Sequence, residues 1–284
     1  MIRLIKTTAI FAAMFCLGNG CRAADANEKS SMETEKQLIV VAHRGGAVLG
    51  PENSLGCIER GMAVGARWIE IDVHLSAAGE IVVCHDPSVD RTTDGEGYIS
   101  ETDYASLRRL RLLDADGNPT GEHLPTLDEV LDLIKGRANL LLEIKQSRHS
   151  LPGIEQACVD CIRRHGATES VTIQSFDDEV LETVHRIAPE IRLEKLLFFA
   201  ATGLGFEFDG GFSSFDFGKY DYVASFNIYY HAASRSFVEK AHAHGKEVKV
   251  WTLDKYDAEL VELVDGVITN DPRIFIKDSR TWSI

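Results

Sequence analysis

Two stretches of sequence decide the fold: residues 68–74 are WIEIDVH, and residues 140–145 are LLLEIK. Short runs rich in Ile, Val and Leu are typical of β-strands. Side chains alternate between the two faces of a strand, so Glu70 and Asp72 share one face and the apolar residues between them share the other. The apolar face is expected to meet a layer of helices. The two carboxylates are therefore predicted to face the interior of a barrel.

The rest of the chain alternates between strand and helix patterns, and no Ser-, Gly- or Pro-rich linker divides it. The strand candidates are Leu38–Ala42, Trp68–His74, Ile81–Cys84, Leu140–Ile144, Val171–Gln174, Arg192–Phe198, Tyr222–Phe226, Glu247–Leu253 and Gly266–Thr269. The helix candidates are Ser54–Gly65, Leu127–Lys135, Ile154–His165, Asp178–Ala188 and Ser234–His244. Strands that alternate with helices predict parallel βα units. We expect a single α/β domain, a (β/α)₈ TIM barrel over residues 38–284, which is the usual length for this fold.

Nine strand candidates exceed the eight of a barrel by one. The run Ile81–Cys84 follows residues 68–74 through only Ala77-Ala78-Gly79, which is too short for a parallel crossover. The two runs are therefore predicted to form a β-hairpin excursion from the second barrel strand. With Ala78-Gly79 as the turn, Asp72 is expected opposite His85.

The predicted barrel interior carries an excess of negative charge. Glu143 repeats on the next barrel strand the pattern of Glu70 and Asp72, and Lys145 follows it on the same face. Three interior carboxylates stay ionised only where a cation compensates them, and one lysine is not enough. A hard divalent cation, which prefers oxygen ligands, would supply the missing positive charge. The alternative is a buried ion-pair network that only supports the barrel.

Two histidines flank this cluster at predicted strand ends, His43 in His43-Arg44-Gly45-Gly46 and His85 in His85-Asp86. Histidine titrates near neutral pH, so a pair can divide the roles of general acid and general base. Arg44 and Lys145 add two cations, and a cation-rich site that holds a metal suits a phosphate group. These residues predict catalysis on a phosphate ester.

The same residues fall in a series of motifs that matches a known family in order and spacing. The matching elements are Ala42-His43-Arg44-Gly45, Pro51-Glu52-Asn53-Ser54, Glu70-Ile71-Asp72-Val73, His85-Asp86, Asp90-Arg91-Thr92-Thr93, Leu142-Glu143-Ile144-Lys145, Gln174-Ser175-Phe176, Trp251-Thr252-Leu253 and Ile268-Thr269-Asn270. In these motifs the chain resembles the glycerophosphodiester phosphodiesterases. Ser54 replaces the threonine that is more common after Pro-Glu-Asn.

The resemblance implies a TIM barrel, one divalent cation (Ca²⁺ or Mg²⁺), and cleavage of glycerophosphodiesters to sn-glycerol 3-phosphate and an alcohol. It implies metal ligands at Glu70, Asp72 and Glu143, and a short insertion at Pro87–Pro125. The catalytic pair falls on His43 and His85, and phosphate contacts fall on Arg44 and Lys145. We expect His85 to be the acid and His43 the base. Either water or a neighbouring glycerol hydroxyl, through a cyclic phosphate, could be the nucleophile.

Two other functions remain open at the level of sequence. The first is phospholipase D- or C-like cleavage of lysophospholipids. It needs an apolar entrance, which a Phe-rich stretch could supply through Phe206, Phe208, Phe212, Phe215 and Phe217. The second is a non-catalytic surface lipoprotein that binds phosphodiesters, against which the intact histidine pair argues. Trp251, at a strand end, is predicted to stack on glycerol or a head group.

The first residues are typical of a secretory leader. Arg3 and Lys6 precede an uncharged apolar run that is too short to span a membrane. Small residues before Cys21 predict a lipoprotein-type signal peptide at 1–21, lipidation of Cys21 and a polar tether at 22–37. Cleavage after Ala24-Asp25-Ala26 is the alternative. We therefore expect an exported protein, periplasmic or at the cell surface, that meets the membrane through this anchor.

Composition bounds the partners. The formal net charge is −14, which argues against binding nucleic acid or an anionic membrane through bulk charge. A small-molecule phosphodiester must then be drawn in by a local cationic site. The sequence does not determine the alcohol head group or the oligomeric state.

Overall fold

Eight parallel strands close into a barrel in the computed structural model, which describes residues 37–198 and 215–276. Neighbouring strands follow the order β1-β9-β8-β7-β6-β5-β4-β2, and β1 pairs with both β9 and β2 to close the ring. The ninth strand, β3, pairs antiparallel with β2 outside the ring. The strands are β1 Ile39–Ala42, β2 Trp68–Leu75, β3 Ile81–Val83, β4 Asn139–Ile144, β5 Val171–Ser175, β6 Arg192–Leu197, β7 Ser225–Tyr229, β8 Glu247–Trp251 and β9 Gly266–Thr269.

Helices pack around the barrel, and polar side chains define where most of them begin. Ser54, Thr126, Asp177 and Ser234 each accept a backbone N–H of the first turn, which satisfies a donor that the helix itself leaves unpaired. The α-helices are α1 Leu55–Ala63, α2 Tyr104–Leu107, α3 Leu127–Ile134, α4 Ile154–Arg164, α5 Asp178–Ile187, α6 Arg235–Ala243 and α7 Ala258–Leu263. The predicted single α/β TIM barrel is confirmed.

The apolar core lies between the strands and the helices, whereas the barrel interior is largely polar. Inside the barrel a small apolar cluster of Val41, Leu141 and Ile268 is buried. The buried polar residues on inward-facing strand positions include Glu70, Asp72, Glu143, Gln174, Glu194, Asn227 and Lys249. Strand alternation thus places the carboxylates as the sequence predicts.

The hairpin forms as expected, but the predicted register is wrong by one residue. Val73 pairs with Val83 and Leu75 with Ile81, and the Cys84 N–H donates to the Asp72 carbonyl at 2.9 Å. Asp72 therefore lies opposite Cys84 rather than His85. The turn contains one residue more than Ala78-Gly79, because the Ser76 N–H bonds to the Glu80 carbonyl. An odd-length turn shifts the partner of every residue by one.

Two further expectations differ from the structure. The strand predicted at Tyr222–Phe226 is β7, which begins three residues later because a short 3₁₀ helix at Phe217–Tyr220 and a turn precede it. Phe215 and Phe217 pack against each other and against Phe226 and Phe237 of the core. The ring centroids of these contacts are 4.8–5.6 Å apart. They do not line an apolar entrance.

The segment after β3 is the expected insertion. It contains α2 and a 3₁₀ turn at Ile99–Glu101, and it has its own small core, which includes Val89, Leu107 and Leu112. It packs beside the carboxyl end of β2 and so borders the face of the barrel where the strands end.

The leader at 1–21 with Cys21, the tether up to residue 36, and Phe206, Phe208 and Phe212 lie outside the described residues. Residues 277–284 of the predicted domain also lie outside them. Within 37–198 and 215–276, no helix has both the length and the apolar character needed to cross a membrane.

Candidate active site

A sharp turn at the end of β1 presents His43 and Arg44. Arg44 has a left-handed backbone (φ 51), and its N–H donates to Glu70 Oε2 at 2.8 Å. Gly45 has φ 84, and a Cβ there would lie 2.9 Å from the Ile58 backbone nitrogen. A Cβ on Gly61 would lie 2.3 Å from the Gly45 carbonyl oxygen. Both positions therefore require glycine, and the close approach of α1 fixes the turn.

The three carboxylates converge on one point inside the barrel. Asp72 on β2 is in register with Glu143 on β4, and Glu70 precedes Asp72 by one inward position. All three are buried, and ligand atoms from each lie within 4.8 Å of one another. Lys145 Nζ lies 2.9 Å from Asp72 Oδ1 and 2.6 Å from Glu143 Oε1. One lysine is thus shared by two of the three acids.

Burial without sufficient positive charge perturbs these acids strongly. Burial and the neighbouring Asp72 charge raise the pKa of Glu70 well above its ordinary value. Burial likewise raises the pKa of Glu143 to about 7, although Lys145 opposes this. Burial also disfavours ionised Asp72, but Lys145, His85 and Arg44 together hold the pKa of that carboxyl below its usual range. Asp72 therefore stays ionised, whereas the raised pKa values of Glu70 and Glu143 favour their protonated forms.

The donor set fits a hard divalent cation. It consists of carboxylate oxygens only, which suits Ca²⁺ or Mg²⁺ rather than a metal that prefers thiolate or imidazole ligands. Asp72 Oδ1 is buried and has no aligned hydrogen bond among the described residues, although Lys145 forms an ion pair with it. An acidic cluster able to bind a metal is therefore present at Glu70, Asp72 and Glu143.

His43 is held by an amide whose own orientation is fixed. Asn270 Nδ2 donates to Asp254 Oδ2 at 2.7 Å, so the Asn270 Oδ1 atom faces His43 and accepts from Nδ1 at 2.7 Å. The proton then resides on Nδ1, and Nε2 points toward Glu70, 3.9 Å from Oε2. Burial and the Arg44 charge lower the pKa of His43 to about 4, so this imidazole is neutral at pH 7.

His85 has a charged partner instead. Its Nδ1–H donates to Asp86 Oδ1 at 2.7 Å, and Asp86 Oδ2 accepts from Arg91 Nε at 2.6 Å. Hydrogen bonds from Arg91 and His85 overcome burial and lower the pKa of Asp86 to about 2, so it is ionised at neutral pH. Burial lowers the pKa of His85, although Asp72 and Asp86 oppose this.

These groups border one cleft at the carboxyl ends of the strands. Among the described residues it is lined by His43, Arg44, Glu70, His85, Glu143, Lys145, Gln174, Phe176, Leu196, Trp251, Thr252 and Ile268. Seven of the eight predicted site residues therefore lie on its wall, and the eighth, Asp72, lies buried directly beneath. Arg44 Nε is buried without a hydrogen bond among the described residues. It instead forms an ion pair with Asp72 Oδ2 at 3.7 Å, and the Arg44 side chain borders the cleft.

An aromatic wall closes one side of the cleft. Trp251 donates from Nε1 to the Asn227 carbonyl at 3.0 Å, and its ring contacts Phe176 edge-on, with centroids 5.5 Å apart. Phe198 also stacks on Trp251, with ring centroids 5.8 Å apart. Phe176 and Phe198 are 43% and 38% exposed, so this wall offers an apolar surface to a bound molecule.

Sequence reasoning missed the residues that hold the predicted ones. Asn53 donates to Asp72 Oδ2 at 2.9 Å, and Gln174 contacts Glu70 Oε1 at 3.4 Å. Asp254 and Asn270 follow β8 and β9, and strand ends are where barrel sites are built. That position was the available signal for Asp254. Asn53 has φ 62, a conformation that asparagine tolerates better than most residues, and it lies in the motif Pro51–Ser54.

Fold and cleft together define a (β/α)₈-barrel enzyme, whose reacting groups lie at the carboxyl ends of the strands. Comparison with known proteins narrows this class. A family model described as "Glycerophosphoryl diester phosphodiesterase family" matches residues 43–274. The chain therefore belongs to the glycerophosphoryl diester phosphodiesterase family.

Individual relatives agree with this assignment. The glycerophosphodiester phosphodiesterase of Caldanaerobacter subterraneus subsp. tengcongensis is 33% identical over 245 residues, which cover 84% of this chain and 97% of that protein. A phosphodiesterase of Oleispira antarctica, solved in complex with the product sn-glycerol-3-phosphate, is 26% identical with a TM-score of 0.69, covering 82% of this chain and 93% of that one. The glycerophosphodiester phosphodiesterase of Thermotoga maritima shares the fold, with a TM-score of 0.65 at 23% identity, over 85% of this chain and 98% of that one.

Proposed function

We propose that this enzyme hydrolyses glycerophosphodiesters to sn-glycerol 3-phosphate and an alcohol, using one divalent cation and the pair His43 and His85. The observation that carries the proposal is the convergence of three buried carboxylates, two histidines and the cations Arg44 and Lys145 on a single cleft. A phosphodiester carries one negative charge, and this cleft offers it cations at one end and an aromatic wall at the other. The names of the family and of its relatives support the same substrate class.

Glu70, Asp72 and Glu143 would hold Ca²⁺ or Mg²⁺. When bound, the cation would neutralise charge on a phosphate oxygen and so stabilise the charge that builds up during displacement. Arg44 and Lys145 would bind the remaining phosphate oxygens. Trp251 and Phe176 would bound the space for the carbon skeleton.

The partners of the two histidines suggest how they divide the proton transfers. His43 is neutral, and Asn270 holds its proton on Nδ1, so Nε2 is free to accept a proton from the nucleophile. Burial lowers the pKa of His85, but its ionised partner Asp86 opposes this and would stabilise the protonated form that an acid needs. We therefore infer that His43 is the base, and that His85 donates the proton from its Nε2 to the departing alcohol oxygen. Water and a glycerol hydroxyl are both compatible nucleophiles.

The test is release of sn-glycerol 3-phosphate from glycerophosphocholine and glycerophosphoethanolamine by the full chain, with EDTA, Mg²⁺ or Ca²⁺. We expect metal-dependent release, and a ~10²–10⁴-fold lower rate in His43→Ala and in His85→Ala. Exposed Glu169→Ala is the control and should retain full activity. No release with any cation would refute the substrate class. Full activity of either histidine variant would refute the acid–base pair.

We further propose that the protein is exported and anchored through a lipid on Cys21. The support is the order of charged, apolar and small residues in 1–21. Expression in a bacterial host with labelled fatty acid should label the wild type but not Cys21→Ala. Equal labelling of both, or a mature chain that begins after Ala26, would exclude the anchor.

A further inference from the structure

Arg91 connects two loops that each carry a predicted site residue. It lies on the insertion after β3, and its guanidinium forms a two-bond pair with Glu52: Nη1 to Oε2 at 3.0 Å and Nη2 to Oε1 at 2.7 Å. The third nitrogen, Nε, donates to Asp86 Oδ2 at 2.6 Å. All three nitrogens of one planar group are thus used. A lysine ammonium is a point charge and does not reproduce this fork.

Each of the two carboxylates also contacts a residue of the cleft. Glu52 Oε1 accepts from Arg44 Nη1 at 2.9 Å, and Asp86 Oδ1 accepts from His85 Nδ1 at 2.7 Å. Arg44 and His85 line the cleft, whereas Arg91, Glu52 and Asp86 are absent from its lining over the described ranges. The chain of contacts therefore runs behind the cleft, from the Arg44 guanidinium to the His85 imidazole.

Local hydrogen bonds fix the turn that presents Arg91. The Thr93 hydroxyl donates to the Val89 carbonyl at 2.9 Å and accepts from the Gly95 N–H at 3.1 Å. Asp90 Oδ1 accepts from the Gly97 N–H at 2.7 Å. The motif Asp90-Arg91-Thr92-Thr93 thus builds a rigid support for one outward-reaching arginine.

Stability alone does not account for this arrangement. The Arg91 side chain is 49% exposed, and exposed ion pairs usually contribute little to the free energy of unfolding, although a bidentate pair within a network contributes more. Three hydrogen bonds on one half-exposed side chain specify geometry more than they hold the fold together. Misplacing a reacting group by about 1 Å can reduce a rate by ~10²-fold.

We propose that Arg91 is a positioning residue that holds Arg44 and His85 in their reactive places through Glu52 and Asp86. This inference rests on the proposed function, because it assigns Arg91 a part in that same reaction. Without Arg91, Glu52 would retain only Arg44 and would draw its guanidinium toward itself. Asp86 would lose one of its two partners, and the His85 ring would be free to turn.

The experiment compares Arg91→Ala with Arg111→Ala in the full chain. Arg111 is the matched control because it lies on the same insertion, is 53% exposed and pairs with Asp94 at 2.8 Å. Asp94 contacts Arg111 through both oxygens and is not part of the cleft lining as described. We expect Arg91→Ala to lose ~10²-fold in kcat with KM changed less than ~3-fold, Arg91→Lys to lose less, and Arg111→Ala to behave as wild type. Added guanidinium ion should partly restore Arg91→Ala.

Three results would overturn the proposal. The first is a kcat for Arg91→Ala within ~3-fold of the control, a margin well below the expected loss. The second is a fall in Tm larger than that of Arg111→Ala together with no rescue by guanidinium, which would mean a structural role. The third is a rise in KM alone, which would mean direct contact with substrate.

A second readout separates this proposal from the proposed function. The ¹⁵N–¹H signal of the His85 Nδ1–H group is measured without substrate, and Arg91→Ala should shift or lose it while Arg111→Ala leaves it in place. If the wild type released no sn-glycerol 3-phosphate, the proposed function would fail, and this signal would still report on positioning. An unchanged signal in Arg91→Ala would refute positioning even in an active enzyme.

Discussion

The barrel interior contains two buried charged clusters that differ in how their charges balance. At the amino-terminal half, Lys249 Nζ donates to Glu194 Oε1 at 2.7 Å, and both side chains are no more than 2% exposed. Asn227 donates to the other Glu194 oxygen at 2.8 Å. Burial alone would raise the pKa of Glu194, but Lys249 and Asn227 hold it below its ordinary value. This acid is ionised and fully satisfied by the protein itself.

At the carboxyl-terminal half, three acids share Lys145 and a partly engaged Arg44. The pKa of Glu143 rises to about 7, and burial with the neighbouring charges raises the pKa of Glu70 well above its ordinary value. Burial is the same in both clusters, so the difference lies in the supply of positive charge. The comparison teaches that a buried acid marks a binding site when its charge is unmatched, and a structural element when it is matched.

The largest expected effect is on catalysis at the unmatched cluster. We expect Glu70→Gln to reduce sn-glycerol 3-phosphate release by at least ~10³-fold, since a catalytic cation supplies several kcal/mol of transition-state stabilisation. Glu194→Gln is the matched comparison. Its rate of sn-glycerol 3-phosphate release, per folded molecule, should fall less than ~10-fold. Equal losses in the two variants, measured at equal folded fraction, would mean that the two clusters do not differ in role.

The matched cluster should dominate stability instead. Lys249→Met leaves Glu194 buried without its cation, and removing one member of a buried pair costs about 3–5 kcal/mol. Urea unfolding of Lys249→Met in EDTA should show this loss in the free energy of unfolding. Glu143→Gln, which removes one unmatched charge, should leave that free energy equal to or above the wild-type value. A loss in Glu143→Gln as large as in Lys249→Met would contradict the comparison.

Divalent cations should stabilise only through the unmatched cluster. Ligand that binds the folded state alone adds about 2.7 kcal/mol at a concentration of 100 Kd. Thermal unfolding with Ca²⁺ or Mg²⁺ should show this increase for the wild type and for Glu194→Gln corrected for its own baseline. The increase should vanish in Asp72→Asn. A cation effect that survives in Asp72→Asn would place the ion elsewhere.

The contrast between the clusters also shows how far the sequence could predict this molecule. Strand alternation placed Glu70, Asp72 and Glu143 inside the barrel, because a period of two needs no knowledge of the neighbours. Strand alternation did not predict the pairing of Glu194 with Lys249. These residues are 55 positions apart along the chain, and only the order of the strands brings them together. The pairing of β7 with β6 and β8 likewise depends on tertiary structure and cannot be predicted from a single strand.

The supporting contacts were hidden for a related reason. Asp254 reaches Asn270 and through it His43, and Arg91 reaches Glu52 across 39 positions of sequence. The hairpin register failed at a single residue because the sequence does not reveal whether Ser76 belongs to the strand or to the turn. Periodic patterns within one element were predictable, whereas contacts between loops required the structure.

The most gradual expected effect is the pH dependence of stability of the metal-free protein. The folded-state pKa of Glu143 is about 7 against an ordinary value of 4.5. Between these values the folded state holds a proton that the unfolded state has released. Stability from this group is therefore present below pH 4.5 and is lost as the pH rises to about 7. The slope is at most about 1.4 kcal/mol per pH unit.

The measurement is the free energy of unfolding in EDTA across this range, for the wild type and Glu143→Gln. Glutamine does not titrate, so the difference between the two proteins isolates the group from the other carboxylates. The wild type should weaken relative to Glu143→Gln as the pH rises, and saturating Ca²⁺ should abolish the relative loss because a bound cation keeps the acid ionised. A difference that is flat in EDTA would mean that Lys145 already matches the charge of Glu143. The charges of the cluster at the carboxyl-terminal half would then be as balanced as those at the amino-terminal half, and the argument for a cation would rest on Glu70 alone.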